Sequence, residues 1–276
     1  MSEQVAHDGF SLPAIGLGTY RLGGVAGADA VSSAVRSGYR LLDSAFNYEN
    51  EGAVGRGVRA SGIDRPEVIV TSKLPGRHHQ YDAALRTIEE SVYRSGLDAI
   101  DLYLIHWPNP GVGKYVDAWR ALIEARECGL VRHIGVSNFL PEHLARIEEE
   151  TGERPVVNQI ELHPFFPQEE AIAYHRERGI ITEAWSPVGR AGEMIDHPVV
   201  RGIAEAHSIS PVQAVLAWHV ARGVVPLPKS ADPDRQRENL AAADIVLAES
   251  EVAAITALGR ADGRMKGQNP AVYEEF

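Results

Sequence analysis

Ile100-Asp101-Leu102-Tyr103-Leu104-Ile105-His106 is a short apolar run that stops on a residue able to do chemistry, and the chain carries eight runs of this kind. Ile15 to Gly18 leads to Thr19 and Tyr20, Tyr39 to Leu42 ends at Asp43, and Val68 to Ser72 ends at Lys73. Val131 to Val136 ends at Ser137 and Asn138, while Val156 to Ile160 contains Asn158 and Gln159. Ile180 to Ala184 ends at Trp185 and Ser186, and Val224 to Pro228 ends at Lys229 and Ser230. Such runs read as strands, and stretches of helical periodicity separate them. Eight alternating units predict a (β/α)8 TIM barrel, whose functional residues gather where the strands end. A barrel of this kind uses roughly 250 residues, so residues 1–276 are expected to form a single domain.

Helices are predicted near 28–37, 51–60, 81–95, 115–128, 141–150, 168–178, 198–207, 211–222 and 232–242. Gly38, Gly62, Gly96, Gly129, Gly152, Gly179 and Gly223 stand just past such stretches, where a left-handed terminating residue is favoured. Pro141, Pro211 and Pro233 stand near helix starts. Asp8-Gly9 between short strand-like stretches suggests an N-terminal β-hairpin plugging the bottom of the barrel. The short C-terminal tail, Gly259 to Phe276, has no apolar periodicity; it either frays or folds over the strand-end face.

Hydrophobic residues make up 44% and charged residues 24% of the chain, which supports a sizeable core and argues against disorder. The net charge of -11 opposes nonspecific nucleic-acid binding, which needs a basic surface, so any bound anion must meet a local cluster of cations. The opening residues have neither the basic flank nor the apolar core of a signal peptide, and no run reaches membrane-spanning length; the expectation is a cytoplasmic protein. The one cysteine, Cys128, has no activating partner in sequence and is expected to be a buried or semi-buried structural thiol.

Asp43, Tyr48, Lys73 and His106 lie at or just beyond the ends of the second, third and fourth runs, which barrel geometry brings together. Singly, each has an ordinary reading: a helix cap, a packing ring, a solvated lysine, a hydrogen-bonded core histidine. Together they form a device. An ammonium beside a tyrosine favours the phenolate and lowers a pKa that starts near about 10, which suits the tyrosine to general acid catalysis.

Asp43-Ser44-Ala45-Phe46-Asn47-Tyr48-Glu49-Asn50-Glu51, then Lys73, then Ile105-His106-Trp107-Pro108, then Gly135-Val136-Ser137-Asn138-Phe139 resemble the aldo-keto reductases, and within them the bacterial 2,5-diketo-D-gluconate reductase-like group. The resemblance runs from about Phe10 to Phe276. It implies NADPH-dependent reduction of aldehydes, ketones or diketones, with Tyr48 donating the proton, Lys73 and Asp43 tuning it, and His106 orienting the carbonyl oxygen. It implies that Ser137, Asn138 and Gln159 hold the nicotinamide carboxamide, that Trp185 stacks on the ring, and that Ser186, Pro187 and Val188 cover the pyrophosphate. Core packing is the other reading of Trp185. Lys229, Ser230, Arg235, Glu238 and Asn239 match the segment that grips the adenosine end, where Lys229 and Arg235 would meet a 2'-phosphate. Asp232 departs from the family pattern. As a cap of the next helix it leaves NADPH preferred, whereas pointing at the phosphate it leaves NADH possible.

Tyr20, Phe46 and Trp107 match the wall of the family's substrate pocket. The short loop after His106 and the short tail imply an open pocket and broad selectivity for small carbonyl compounds, Phe46 limiting its width. The family resemblance favours a monomer. No Gly-x-Gly-x-x-Gly follows a strand, and no His-x-His or His-Glu-x-x-His metal pattern is present, so no metal is expected; His78 and His79 are assigned to a loop and His163 to an isolated position. A nicotinamide-binding sensor with little turnover is the alternative, since fold alone does not establish activity.

Overall fold

The computed structural model describes residues 3–189 and 192–276. An N-terminal hairpin, β1 (Gln4–Val5) and β2 (Ser11–Leu12), pairs antiparallel around Asp8-Gly9. Gly9 takes φ 90, and the Phe10 amide donates to the Asp8 carboxylate at 2.9 Å. Eight strands follow: β3 (Leu17–Gly18), β4 (Leu41–Asp43), β5 (Ile69–Leu74), β6 (Ile100–Ile105), β7 (Val131–Ser137), β8 (Val157–Glu161), β9 (Ile181–Trp185) and β10 (Val224–Pro226). Each is parallel to the next in chain order. The sheet closes on itself, because Gly16 and Gly18 donate backbone N–H bonds to Pro226 and Pro228 at 3.1 and 3.0 Å. Closure needs a glycine at position 18: a Cβ there would stand 2.8 Å from the Leu227 carbonyl oxygen.

The helices are α1 (Gly24–Arg36), α2 (Glu51–Ser61), α3 (Tyr81–Ser95), α4 (Tyr115–Glu127), α5 (Pro141–Thr151), α6 (Glu169–Arg178), α7 (Pro198–His207), α8 (Pro211–Ala221), α9 (Pro233–Ala241) and α10 (Glu249–Thr256). The seven predicted terminating glycines all have positive φ, from 60 at Gly96 to 113 at Gly38. Pro141, Pro211 and Pro233 each open a helix, where the missing N–H has no partner to lose. Ser210 and Gln213 cap α8 reciprocally, each side chain accepting from the other's backbone N–H at 3.2 and 3.1 Å. The last helix, α10, is absent from the prediction; it is a short helix covering α7 and α8, and of its residues only Ile255 is buried.

Period-two alternation sorts the strand residues. Leu41, Leu102, Leu104, Val157, Ile181, Val225 and Leu227 point inward and pack with Leu12, so the hairpin does plug the barrel. Tyr103, Ile105, Ile134 and Val136 point outward against Trp119, Leu122, Leu144 and Ile147 of the helical layer. Moving two residues along from the inward apolar set reaches Asp43, His106, Gln159, Glu183 and Lys229. The parity that builds the core thus also delivers the polar residues to the barrel mouth.

Cys128 does not follow its expected burial. It is exposed at the end of α4, where the last turn faces solvent. Its thiol is pushed above the ordinary value by desolvation and by the neighbouring Glu124 carboxylate, which favours the protonated form.

Trp119 is fully buried between β6, β7 and the helices, and its Nε1 donates to the Glu153 carbonyl at 3.2 Å. Trp119→Ala is expected to lower the unfolding free energy by about 3–5 kcal/mol in urea titrations; a loss under about 1 kcal/mol would contradict this packing.

Candidate active site

Tyr48 is set by the segment from Asp43 to Glu51, which folds as a 3-10 turn, Phe46–Tyr48, ended by Glu49 at φ 53. Asn50 fastens the segment: its Nδ2 donates to the Thr19 carbonyl at 2.7 Å and to Leu22 at 3.2 Å, and its Oδ1 accepts from Ser44 Oγ at 2.7 Å. Glu51 accepts from Ser72 Oγ at 2.5 Å, tying the start of α2 to β5.

Lys73 is 0% exposed, and its Nζ donates to Asp43 Oδ1 at 2.6 Å and to the Ser44 carbonyl at 2.8 Å. The same Asp43 oxygen accepts from Gln159 Nε2 at 2.8 Å, and Gln159 also donates to Glu183 Oε2 at 2.8 Å. Burial disfavours the ammonium, yet Asp43 and the surrounding negative groups outweigh it and raise the Lys73 pKa. The Glu183 pKa also rises, but here the rise favours the neutral form: burial, then the Asp43 carboxylate, push it from 4.5 up to about 8. One ammonium thus faces one carboxylate and one carboxylic acid at neutral pH.

The Lys73 ammonium lies 5.2 Å from the centre of the Tyr48 ring. It pulls the phenol pKa down as expected, but burial is the larger effect and the net direction is up. The expected lowering is therefore corrected: Tyr48 keeps its proton, the form a general acid needs. His106 faces Tyr48 with ring centres 6.0 Å apart.

These groups floor a cavity of about 560 Å³ at the strand ends. Tyr20, Asp43, Tyr48, His106, Trp107, Asn138, Gln159, Trp185, Ser186, Pro187, Val188 and Lys229 all line it. Trp185 Nε1 donates to Asn138 Oδ1 at 2.8 Å, and Asn138 Nδ2 donates to the His106 carbonyl at 3.0 Å, so indole, amide and histidine are linked. Ser137 is buried behind them, donating to the Gln159 carbonyl at 2.8 Å. Asn138 at φ 61 and Ser186 at φ 49 hold left-handed backbone at the rim, the kind of conformation that accumulates at functional sites. His219 Nε2 lies 2.9 Å from the Pro187 carbonyl and holds the covering loop from below.

Ser230, Arg235, Glu238 and Asn239 lie beyond the cavity, on and before α9. Asp232 is the cap of that helix, accepting from the Asp234 and Arg235 amides at 2.8 and 3.1 Å. Phe46 is not brought into the lining: its ring is buried against Arg94 at 4.1 Å and Arg77 at 5.7 Å. The 3-10 turn sends Phe46 and Tyr48 to different sides. His79 and His163 are likewise buried; His163 Nε2 lies 3.1 Å from Glu161, so it is not isolated, and His78 ends a 3-10 turn with Nδ1 2.8 Å from Thr87 Oγ1.

The sequence reading missed Glu183, Glu275, Asn47, Lys266, Gln268 and Tyr273. Glu183 had a signal, a carboxylate inside the apolar run of β9; the others come from a loop or from the aperiodic tail, which folds over the cavity.

A barrel whose mouth holds a buried Asp–Lys pair beneath a tyrosine and beside a histidine defines a class of oxidoreductase. The chain belongs to the aldo/keto reductase family, whose model matches residues 14–194 and 196–260. It is 52% identical over 98% of its length to 2,5-diketo-D-gluconic acid reductase B from Corynebacterium sp. (strain SHS752001), covering 97% of that protein. It is 40% identical to methylglyoxal reductase DkgA of Yersinia pestis, covering 97% of this chain and 95% of that one. Among solved structures, a variant of Gox0644 in complex with NADPH superposes with a TM-score of 0.93 at 42% identity, over 99% of this chain and 98% of the other.

Between 4.5 and about 8 the unfolded chain has released the Glu183 proton while the folded protein retains it. Stability contributed at this site therefore falls as pH rises through that window. Glu183→Gln, which can still accept from Gln159, is expected to flatten the fall in urea midpoint between pH 5 and pH 8. An unchanged slope would mean that Glu183 is already ionised in the fold.

Proposed function

We propose that the protein reduces small aldehydes, ketones, α-keto esters and diketones to alcohols with NADPH. The observation that carries this reading is the Lys73–Asp43 pair beneath a protonated Tyr48, with His106 across the cavity. The cavity residues fit a nicotinamide cofactor. Trp185 offers an indole face, the Gln159 side-chain oxygen is left over as an acceptor once its amide nitrogen is spent on Asp43 and Glu183, and Lys229 stands at the far end. When bound, the reduced nicotinamide supplies the hydride.

This chain's own residues do the rest. His106 and Tyr48 converge on one carbonyl oxygen and fix its orientation, and Tyr48 gives its proton to that oxygen as negative charge develops. Lys73 then stabilises the phenolate left behind, and Asp43 holds the ammonium in place. Tyr20 and Trp107 supply the apolar wall. The names of the two reductase relatives, one for a diketo acid and one for a dicarbonyl, support the substrate class.

Lys229 and Arg235 are the local cations that an acidic chain needs for a 2'-phosphate. Asp232 supports NADPH by spending its carboxylate on the α9 amides. The same reading takes the protein to be a cytoplasmic monomer that acts on small molecules and not on nucleic acid. Among the described residues no helix is long and apolar enough to cross a membrane.

Tyr48→Phe is expected to lower kcat about 10²- to 10⁴-fold with NADPH affinity unchanged, followed by NADPH absorbance across a carbonyl panel. Wild-type NADPH binding without turnover would instead favour a sensor. Lys229→Met is expected to weaken NADPH roughly 10- to 100-fold while sparing NADH. Equal losses for both would remove the 2'-phosphate assignment.

A further inference from the structure

The carboxylate of Glu275, the last residue but one, lies in the proton-transfer site. Its Oε1 is 2.8 Å from His106 Nδ1 and accepts from Asn47 Nδ2 at 2.9 Å, while Oε2 accepts from the Gly76 amide at 2.9 Å. The backbone is gripped on both sides by one side chain. Asn109 Nδ2 donates to the Glu275 carbonyl at 2.8 Å, and the Glu275 amide donates to Asn109 Oδ1 at 3.1 Å. Glu274 accepts from the Gly111 amide at 2.6 Å, and Tyr273 packs on Trp107 with ring centres 4.5 Å apart. Gly76 leaves room for this seat: a Cβ there would stand 2.4 Å from both the Glu275 carbonyl and Asn109 Nδ2.

We propose that Glu275 is a positioning residue, fixing the ring of His106 so that the C-terminal tail is a working part of the reduction site. This rests on the reductase reading above. A carboxylate 2.8 Å from Nδ1 attracts a proton to that nitrogen and leaves Nε2 for the cavity, although no aligned hydrogen bond joins the pair. A ring protonated on Nδ1 alone presents a lone pair at Nε2. Donation to a carbonyl oxygen there needs a proton on Nε2, and a facing carboxylate would offset the positive charge of a ring that carries both. Burial works against ionising Glu275, but His106, Gly76 and Asn47 outweigh it and hold its pKa down. The other titratable or charged groups around it are Tyr48, Arg77, which donates to Asn47, and His79, which burial pushes down to about 4.

Glu275→Gln keeps the size of the side chain, leaves one acceptor at the seat with an amide NH2 in place of the other, and removes the charge. Its kcat is expected to fall about 10- to 100-fold, as for a misplaced catalytic group, with NADPH affinity unchanged and only a small drop in thermal midpoint from the acceptor lost. Glu275→Ala is expected to regain part of its kcat on addition of formate. Wild-type kcat in the Gln variant would overturn the proposal, as would a loss tracking NADPH affinity without formate rescue. Nitrogen-15 shifts of the His106 ring test the same point without turnover: a proton on Nδ1 in wild type that is lost or shared in the Gln variant supports it, and identical shifts overturn it. A wild type inactive on every carbonyl would overturn the reductase reading while the ring shifts still decide the role of Glu275.

Discussion

The buried Lys73 ammonium is the constraint around which the barrel mouth is organised. An unpaired charge with no solvent exposure would cost several kcal/mol, so the fold must bring it acceptors. Asp43 from the preceding strand and the Ser44 carbonyl supply them at 2.6 and 2.8 Å. Those two bonds fix where the segment after β4 leaves the barrel, and hence where Tyr48 stands. The same pair decides the state of Glu183. With the one nearby ammonium already matched by Asp43, burial and the Asp43 charge outweigh what Gln159 and Lys73 offer a second buried carboxylate, and it retains its proton. Gln159 reconciles the two by donating to both.

Parallel register turns that local requirement into a site. Asp43 pairs with Thr71, Lys73 with Leu104, and Gln159 with Glu183, so the inward positions of neighbouring strands rise in step around the barrel. Below these levels Leu41, Leu102, Val157 and Val225 exclude water with the hairpin residue Leu12. Above them the inward side chains are polar and meet the cavity. A dry floor beneath a polar mouth strengthens each electrostatic contact there, because the local dielectric is far below that of water.

What was legible in the sequence follows from this geometry. Strand ends were readable because each apolar run stops abruptly on a polar residue, and helix ends because glycine takes a left-handed conformation at low cost. Phe46 was misplaced because its match to the family's pocket wall was one of position in the chain, and the 3-10 turn Phe46–Tyr48 turns the ring toward Arg94 and away from the cavity. Cys128 was misjudged because the composition of a helix end does not say which face meets solvent. Glu183 was visible as a charge within an apolar run, yet only the adjoining Asp43 and Lys73 give it meaning. Glu275 had no local signal at all: it acts across 169 positions of chain, on a loop contact made by a tail without periodicity.

That last contact bears on how the barrel mouth is kept in order. Loops after three strands converge on the tail: Asn47 after β4, Gly76 after β5, and His106 and Asn109 after β6. Each strand end is rigid, but the loops beyond it gain nothing from the sheet, and left-handed backbone at Glu49 and Asn109 adds strain. A single side chain that accepts from two of these loops and faces the histidine of the third fixes their relative positions at once. The tail therefore does for the loops what the Lys73–Asp43 pair does for the strands. A buried charge demands partners from several elements, and satisfying that demand sets the distances on which proton transfer depends.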